Sequence, residues 1–548
     1  MKKLSRRDFV ASTAAAVPAG WLTQNASAQT PARKIASGIF QPTWESLLQY
    51  KAPEWFRDAK FGIWAHWTAQ CVPEQGDWYA RQMYIQGHPQ YEYHVKTYGH
   101  PSKFGFMEID NLWKAEKWDP KALMDLYVKA GAKYFVSLAN HHDNFDNYDS
   151  THHEWNSVHI GPKKDIVGTW AKLARTNGLR FGVTNHSAHS WHWFQTAYGY
   201  DPEGPMAGVQ YDGYLTKADG KGKWWDGLDP QHLYNGPIIP LPKGLTSIKA
   251  ASDFHRQNDA KWDENPPPNN PEFVERWFLR CQELIDKYDP DLLYFDNTQL
   301  PLGQAGLDIA AHYYNANMKK HGGRLEAVLN SKGLQPERVG TMVLDIERGK
   351  ADTILPNAWQ TDTCIGDWHY KRATFENHKY KTAPQVVQML VDIVSKNGNL
   401  LLNIPVRGDG SIDEDEHKFL ADIAAWMGPN GEAIYGTRPF TVSGEGAPET
   451  SGTKNFNENR AKPYTSEDIR FTTKGQTLYA TALAWPTDGK LRIRTLAEGG
   501  KEFPRKVGRV EMLGVKGSLK FTRDAQALVV DCPDQKPNDN AYVLKIQS

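Results

Sequence analysis

Between residues 61 and 405 the apolar residues fall in short, unbroken runs, each ending in polar ones. Eight runs stand out: "FGIWAHW" (61–67), "KYFVSLAN" (133–140), "LRFGVTNH" (179–186), "DLLYFD" (291–296), "RLEAVLNS" (324–331), "TMVLDIE" (341–347), "AWQTDTCI" (358–365) and "GNLLLNIP" (398–405). Runs without alternation indicate strands buried on both faces, as in a parallel sheet. Helical patterns separate many of them. "DPKALMDLYVKAG" carries Asp119 as N-cap, Pro120 at the first helical position and Gly131 past its end. "DIVGTWAKLARTNG" stops at Gly178, a third helix starts at Pro271, and a fourth runs from Pro384 to Gly398. Strand and helix in alternation, with eight strands, predict an α/β fold: an irregular (β/α)8 TIM-like barrel over 29–434. The gap between the fifth and sixth strands is too short for a full helix, so the barrel is expected to be irregular there. Residues 195–270 break the pattern with Gly, Pro and Asp and carry Trp224, Trp225 and Tyr234. A loop this long reads either as a substrate-facing lid or as surface decoration. From residue 435 to 548 apolar and polar residues alternate between turns, which predicts a C-terminal β-sandwich.

The N-terminus changes the picture of location. "MKKLSRRDFVASTAAAVPAGW" pairs Arg6 and Arg7 with a run of small, mildly apolar residues, and "NASAQT" offers cleavage after Ala28. Residues 1–28 read as a twin-arginine export signal, against an ordinary N-terminal helix, and imply a periplasmic or secreted protein. No later run is apolar and long enough to span a bilayer. Lys+Arg and Asp+Glu balance at 64 each, which argues against nucleic-acid or anionic-membrane partners. The four cysteines (Cys71, Cys281, Cys364, Cys532) lie far apart and form no framework pattern, so buried free thiols are expected. Twenty tryptophans suit cores or the apolar faces of sugars.

In such barrels the chemistry collects where strands end. Those ends carry His66 and Trp67, Asn140 to Asp143, Asn185 and His186, Asp296, Lys332 and Glu347. Two carboxylates on different strands among histidines and aromatics suit glycoside hydrolysis. That reaction needs one carboxylate as nucleophile or base and one as proton donor around an oxocarbenium-like transition state.

In order, "WFRDAKFGIWAHW", "GDWYARQMY", "NHHDNFDNYDS", "DLLYFD", "GNLLLN" and "GEAIYGT" resemble the blocks of the family 29 glycoside hydrolases, the α-L-fucosidases. The resemblance covers about residues 55–437. It implies an irregular barrel followed by a β-sandwich, and a retaining double displacement without metal or cofactor. It also implies Asp296 as nucleophile and His66, His141 and His142 as ligands of sugar hydroxyls. Asp77 and Trp78 fall in the "EWY" block, with Asp where the family has Glu. Tyr294 stands where Trp is common, and "TNHS" replaces the usual tyrosines, so Asn185 and His186 would face the site with different contacts. Lys332 roughly matches a family arginine. The acid/base lies on a later loop, where Glu347 is the candidate and Asp345 and Glu337 are rivals. The other reading of Glu347 is a structural glutamate paired with Arg348. Trp67 or Tyr294 would pack against the 6-methyl of fucose.

Three other chemistries fit the sequence less well. A His-His-Asp zinc site at 141–143 conflicts with strand geometry, because adjacent residues point to opposite faces unless the backbone bends. "RGDGSIDEDEHKFL" lacks calcium-loop spacing, and Asp413 reads as a helix N-cap. "HHEW" at 152–155 lacks the spacing of a zinc protease motif. The expected partner is a fucosylated glycan, with no nucleic acid and no membrane insertion. Alternatives are another α-L-sugar such as L-galactose, a decorated or sulfated fucose polymer, or non-catalytic carbohydrate binding.

Overall fold

Each of the eight apolar runs supplies one strand of a closed parallel barrel: β1 (Phe61–Ala65), β2 (Tyr134–Asn140), β3 (Arg180–Asn185), β4 (Leu292–Phe295), β5 (Val328–Lys332), β6 (Val343–Asp345), β7 (Trp359–Cys364) and β8 (Gly398–Asn403). The computed structural model describes residues 33–447, 452–458 and 463–548. The segment 1–28 read as an export signal lies outside them. Strand order follows the sequence, and β1 closes the ring against β8 through Ile63 opposite Leu402. Nearly every strand residue is buried, as unbroken apolar runs require.

Outer helices start and stop where their caps dictate. Asp119 accepts from the Ala122 amide at 3.0 Å to open α1 (Pro120–Lys129), and Gly131 turns the chain at φ 99°. Asp165 caps α2 (Ile166–Thr176) in the same way, and Asn270 caps α3 (Pro271–Tyr288). α4 (Gln304–Lys320) leads into β5. The helix expected to run from Pro384 to Gly398 is α5 (Ala383–Ser395), opened by a Thr382–Gln385 capping box. Gly398 belongs to β8, and the left-handed turn falls on Asn397 (φ 73°), whose side chain donates to the Leu355 carbonyl. Asp413 and Glu416 form a capping box on α6 (Glu414–Asn430), a helix start as expected. Only a single 3-10 turn, Pro336–Arg338, fills the short gap between β5 and β6.

After the barrel come β9 (Arg438–Glu445), β10 (Ile469–Lys474), β11 (Thr477–Ala482), β12 (Lys490–Ile493), β13 (Arg509–Met512), β14 (Phe521–Arg523), β15 (Leu528–Asp531) and β16 (Tyr542–Gln547). They build an antiparallel five-stranded sheet, β13-β16-β11-β10-β9, and a three-stranded sheet, β12-β15-β14. Phe471, Leu491, Val510, Leu528 and Ile546 form a core between them, separate from the barrel's. The other face packs on the barrel: Arg470 Nε reaches Asp392 Oδ1 on α5 at 2.5 Å, and Trp426 Nε1 donates to the Ala541 carbonyl at 3.0 Å. The four cysteines are free, three of them buried. Among the described residues no helix is long and apolar enough to cross a membrane.

Candidate active site

A cavity of about 400 Å³ opens where the barrel strands end. Its inner wall is a row of strand-end residues: His66 after β1, His141 and His142 after β2, His186 after β3, Asp296 after β4 and Lys332 closing β5. Glu347 follows β6, Asp362 lies within β7 and Trp368 comes just after it. Trp64, Trp78, Ala260, Trp262 and Phe456 complete the lining.

Alternation along a strand decides which candidates reach this space. His66 and Trp64, two residues apart, both point inward, so Trp67 points outward. Trp67 is buried between Trp113 and Trp118, and its indole donates to the Arg407 carbonyl at 2.8 Å. The expectation that Trp67 contacts substrate is therefore corrected. Asn185 is corrected on the same ground: while His186 faces the cavity, Asn185 Oδ1 accepts from Trp277 Nε1 and from the Ser187 amide. Tyr294 shares the inward face with Asp296 but lies one layer deeper, fully buried. Its ring packs on Trp64 and His186, and its hydroxyl donates to Asp362 Oδ2 at 3.1 Å. It forms the floor beneath the site rather than a wall against the sugar.

Asp77, one methylene shorter than the family's glutamate, also stops short of the cavity. Its carboxylate accepts from the Trp368 and His369 backbone amides at 3.3 and 2.7 Å. It thus anchors the turn that presents Trp368, and His369 packs edge-on against both His66 and His141. Trp78 lines the cavity from a left-handed position (φ 63°), near Trp193 and Trp262.

The stretch after β2 divides its labour. The strand ends at Asn140, and the Asn144 amide bonds back to the His141 carbonyl with Asn144 at φ 62°. This bend brings both imidazoles into the cavity, their centroids 4.3 Å apart. The polar residues around them are structural. Asp143 Oδ2 accepts from Gln70, Asp146 pairs with the buried Arg280 at 2.6 Å, and Asn147 donates to the Leu138 and Trp67 carbonyls. Gln70 also meets His141 Nδ1 at 2.9 Å, and His142 Nδ1–H donates to the His186 carbonyl at 2.7 Å. These contacts fix the ring orientations. Burial, reinforced by neighbouring imidazoles, holds His66 and His141 far below the usual histidine range, and burial lowers His142 to about 4. Neutral rings both donate and accept, as hydroxyl ligands require. Both nitrogens of His66 and Nε2 of His186 have no hydrogen-bond partner among the described residues.

Asp296 is the electrostatic centre. His142 Nε2 and His186 Nδ1 approach its Oδ2 at 3.2 and 3.3 Å, and Lys332 pairs with its Oδ1. Burial alone would raise its pKa, but Lys332 and His186 outweigh burial and hold the carboxyl well below the usual range. The same ammonium meets Glu347 Oε2 at 2.6 Å. Two carboxylates on one ammonium have their nearest oxygens no more than about 6 Å apart, two hydrogen-bond lengths. That suits the roughly 5–5.5 Å spacing of retaining glycosidases. The pairing of Glu347 with Arg348 does not occur, since Arg348 Nε binds Glu458 at 2.9 Å. Of the rivals, Glu337 sits exposed on the 3-10 turn, and Asp345 is buried behind the wall against Gln360. Burial and the adjacent Asp345 push Asp362 well above the carboxylate range; burial raises Asp345 to about 6. Their Oδ1 atoms are both buried without a hydrogen-bond partner among the described residues.

Two ligand sets could close on a cation: His66, His141 and His186, or His142, His186 and Asp296, each with donor atoms within 4.8 Å of one another. The second set fits poorly, because the Lys332 ammonium already occupies the other oxygen of Asp296.

The family model described as alpha-L-fucosidase matches residues 27–432, and that of the alpha-L-fucosidase C-terminal domain matches 462–547. This chain belongs to the α-L-fucosidase family. It is 25% identical to the tissue alpha-L-fucosidase of Rattus norvegicus over 535 residues, 95% of each chain. It is 25% identical to the human tissue enzyme, over 92% of this chain and 91% of that one. The Thermotoga maritima alpha-fucosidase solved in complex with fucose superposes with a TM-score of 0.66 at 27% identity, covering 92% of this chain and all of that one. The same enzyme with a mechanism-based inhibitor gives 0.67.

Six cavity residues were not among those expected from the sequence: Trp64, Ala260, Trp262, Asp362, Trp368 and Phe456. Trp64 was available from alternation with His66. Trp262 comes from the long insertion, which therefore supplies part of the cavity wall. Its ring packs on His142 and His189, while Glu264 beside it accepts from Asn297 and Thr298 next to Asp296. The insertion's more conspicuous aromatics serve structure instead. Trp224 donates to Glu108, Trp225 is buried, and Tyr234 bonds Asp212.

Proposed function

We propose that this α-L-fucosidase family member releases terminal α-L-fucose by double displacement, with Asp296 as nucleophile and Glu347 as acid/base. The supporting observation is the Asp296–Lys332–Glu347 arrangement at the head of the histidine-lined cavity. Lys332 and the His186 imidazole keep Asp296 ionised and aimed inward. Attack on the anomeric carbon forms a glycosyl ester, while Glu347 gives its proton to the departing oxygen. Ester formation removes the Asp296 charge. Lys332 is then left to stabilise a Glu347 carboxylate, the form that takes a proton from the incoming water. His66, His141, His142 and His186 hold the ring hydroxyls. The apolar faces of Trp64 and Trp368 accommodate a methyl group better than the hydroxymethyl of L-galactose. Lys332 is the one Lys or Arg among the lining residues and is already matched by Asp296, which gives no support to a sulfated polymer.

Release of nitrophenol from an aryl α-L-fucoside tests this reading. Wild type turns over, and Asp296→Asn loses at least about 10³-fold in kcat/KM because the covalent route is gone. Turnover that survives the substitution removes Asp296 from the role. We also propose twin-arginine export to the periplasm or beyond, on the strength of Arg6, Arg7 and the site after Ala28. Replacing both arginines by lysine should leave the enzyme in the cytoplasm, and unchanged export of that variant would refute the route.

A further inference from the structure

One cavity residue is contributed from beyond the barrel. Phe456 lies between β9 and β10, in the C-terminal part of the chain, and its ring is 61% exposed at the mouth of the cavity. Phe456 therefore presents an open apolar ring face at the edge of a cavity lined mostly by polar and aromatic groups. Its backbone sits at φ 57°, a conformation a bulky residue adopts only when its surroundings impose it.

Those surroundings form a built interface with the loop that carries Glu347. The Phe456 amide donates to the Glu347 carbonyl at 2.8 Å, and the Glu458 amide donates to the Arg348 carbonyl at 3.0 Å. Asn457 accepts from the Lys350 amide and donates back to its carbonyl. The Glu458 carboxylate is buried among Arg348, Lys381 and Thr363, at 2.9, 3.1 and 2.7 Å. Gly349 makes the approach possible: a Cβ there would stand 2.3 Å from the Lys454 carbonyl oxygen. The segment 452–458 is therefore fixed, and Phe456 is held open on a rigid base.

We propose that Phe456 is a specificity-determining platform for the leaving group, stacking against the apolar face of the pyranose to which fucose is attached. This rests on the assignment of Glu347 as acid/base. The proton donor must reach the glycosidic oxygen, so a residue hydrogen-bonded to the backbone of Glu347 and open to the cavity stands beside the departing sugar. Trp262 belongs to a different wall, against His142 and His189. The class of substrate implied is a fucosyl oligosaccharide with a pyranose at the reducing side, in preference to fucosides of small acyclic alcohols.

The test compares two substrates whose leaving groups need equal proton assistance but differ in having a ring. One is an α-L-fucosyl disaccharide. The other is trifluoroethyl α-L-fucoside, whose alcohol has about the acidity of a sugar hydroxyl. Phe456→Ala should lower kcat/KM for the disaccharide by about 10- to 100-fold while leaving the trifluoroethyl fucoside within about 2-fold, and Phe456→Trp should restore the disaccharide. Equal losses on both substrates would show that Phe456 only positions Glu347, and no loss on either would show that the ring touches nothing; each overturns the platform. Glu347→Gln assayed on the trifluoroethyl fucoside tests the underlying assignment separately, since that substrate involves no stacking: loss of turnover supports Glu347, and unchanged turnover removes it from the role.

Discussion

The cavity has two walls of different origin. One is a row of residues at the ends of consecutive parallel strands, His66, His141, His142, His186 and Asp296, each placed by the strand before it. The other is Glu347, which follows β6, backed by a segment from beyond the barrel that contributes Phe456. A strand end in a closed barrel has little freedom, because its register is fixed on both sides. A loop has no such constraint, and here a second chain segment supplies it through backbone hydrogen bonds and the buried Glu458. The first wall suits what every substrate shares, the terminal sugar. The second faces what varies between substrates, the group that leaves.

The strongest way to break this division is at Glu347. Glu347→Gln should lower kcat on an alkyl fucoside by about 10²- to 10⁴-fold and spare fucosyl fluoride, whose departure needs little proton assistance. If the variant keeps its alkyl activity and Asp362→Asn loses it, the protonated floor carboxyl is the acid and the second wall has another purpose.

Next in size is the tie between the two parts of the chain. Asp392 on α5 is buried against Lys396 at 2.8 Å and Arg470 of β10 at 2.5 Å. Burial opposes its ionisation, but Lys396 and Arg470 outweigh it and hold its pKa low. A carboxyl depressed in the folded state stabilises fully above its unfolded value, near about 3.9, and loses that contribution as pH falls toward the folded value. Asp392→Ala should cost about 3–5 kcal/mol in denaturant unfolding at neutral pH, by removing the buried carboxylate that both cations share. The variant should also lack this part of the wild type's loss of stability below about pH 4. A cost under about 1 kcal/mol would mean the pair is replaceable.

The smallest effect sharpens the first wall. Trp67→Phe should leave KM and kcat for an aryl fucoside within about 2-fold and destabilise by roughly 0.5–1.5 kcal/mol through loss of the bond to the Arg407 carbonyl. A large rise in KM would return Trp67 to the site.

The sequence made these two walls legible to different degrees. Unbroken apolar runs located all eight barrel strands, and their ends held the histidines and Asp296, because a strand terminus carries its chemistry in adjacent residues. Trp67 and Asn185 misled because neighbours of an inward residue point outward. Tyr294 misled because it faces inward a layer too deep, and Asp77 because its shorter side chain is taken up by the Trp368 and His369 amides. Trp262, Trp368 and Phe456 join the site through loops that pack long after them or before them in the chain. No local pattern marks such residues, because their placement depends on tertiary contacts such as the one Gly349 permits.

The central claim is that Asp296 forms a bond to the sugar. It is tested most directly by trapping that bond with a 2-deoxy-2-fluoro-fucosyl donor bearing a good leaving group, then mapping the adduct by peptide mass spectrometry. The account predicts one fluorofucosyl unit per chain, on the peptide containing "DLLYFD" and at Asp296. An adduct on any other carboxylate, or turnover with inversion at the anomeric carbon and no adduct, would contradict it.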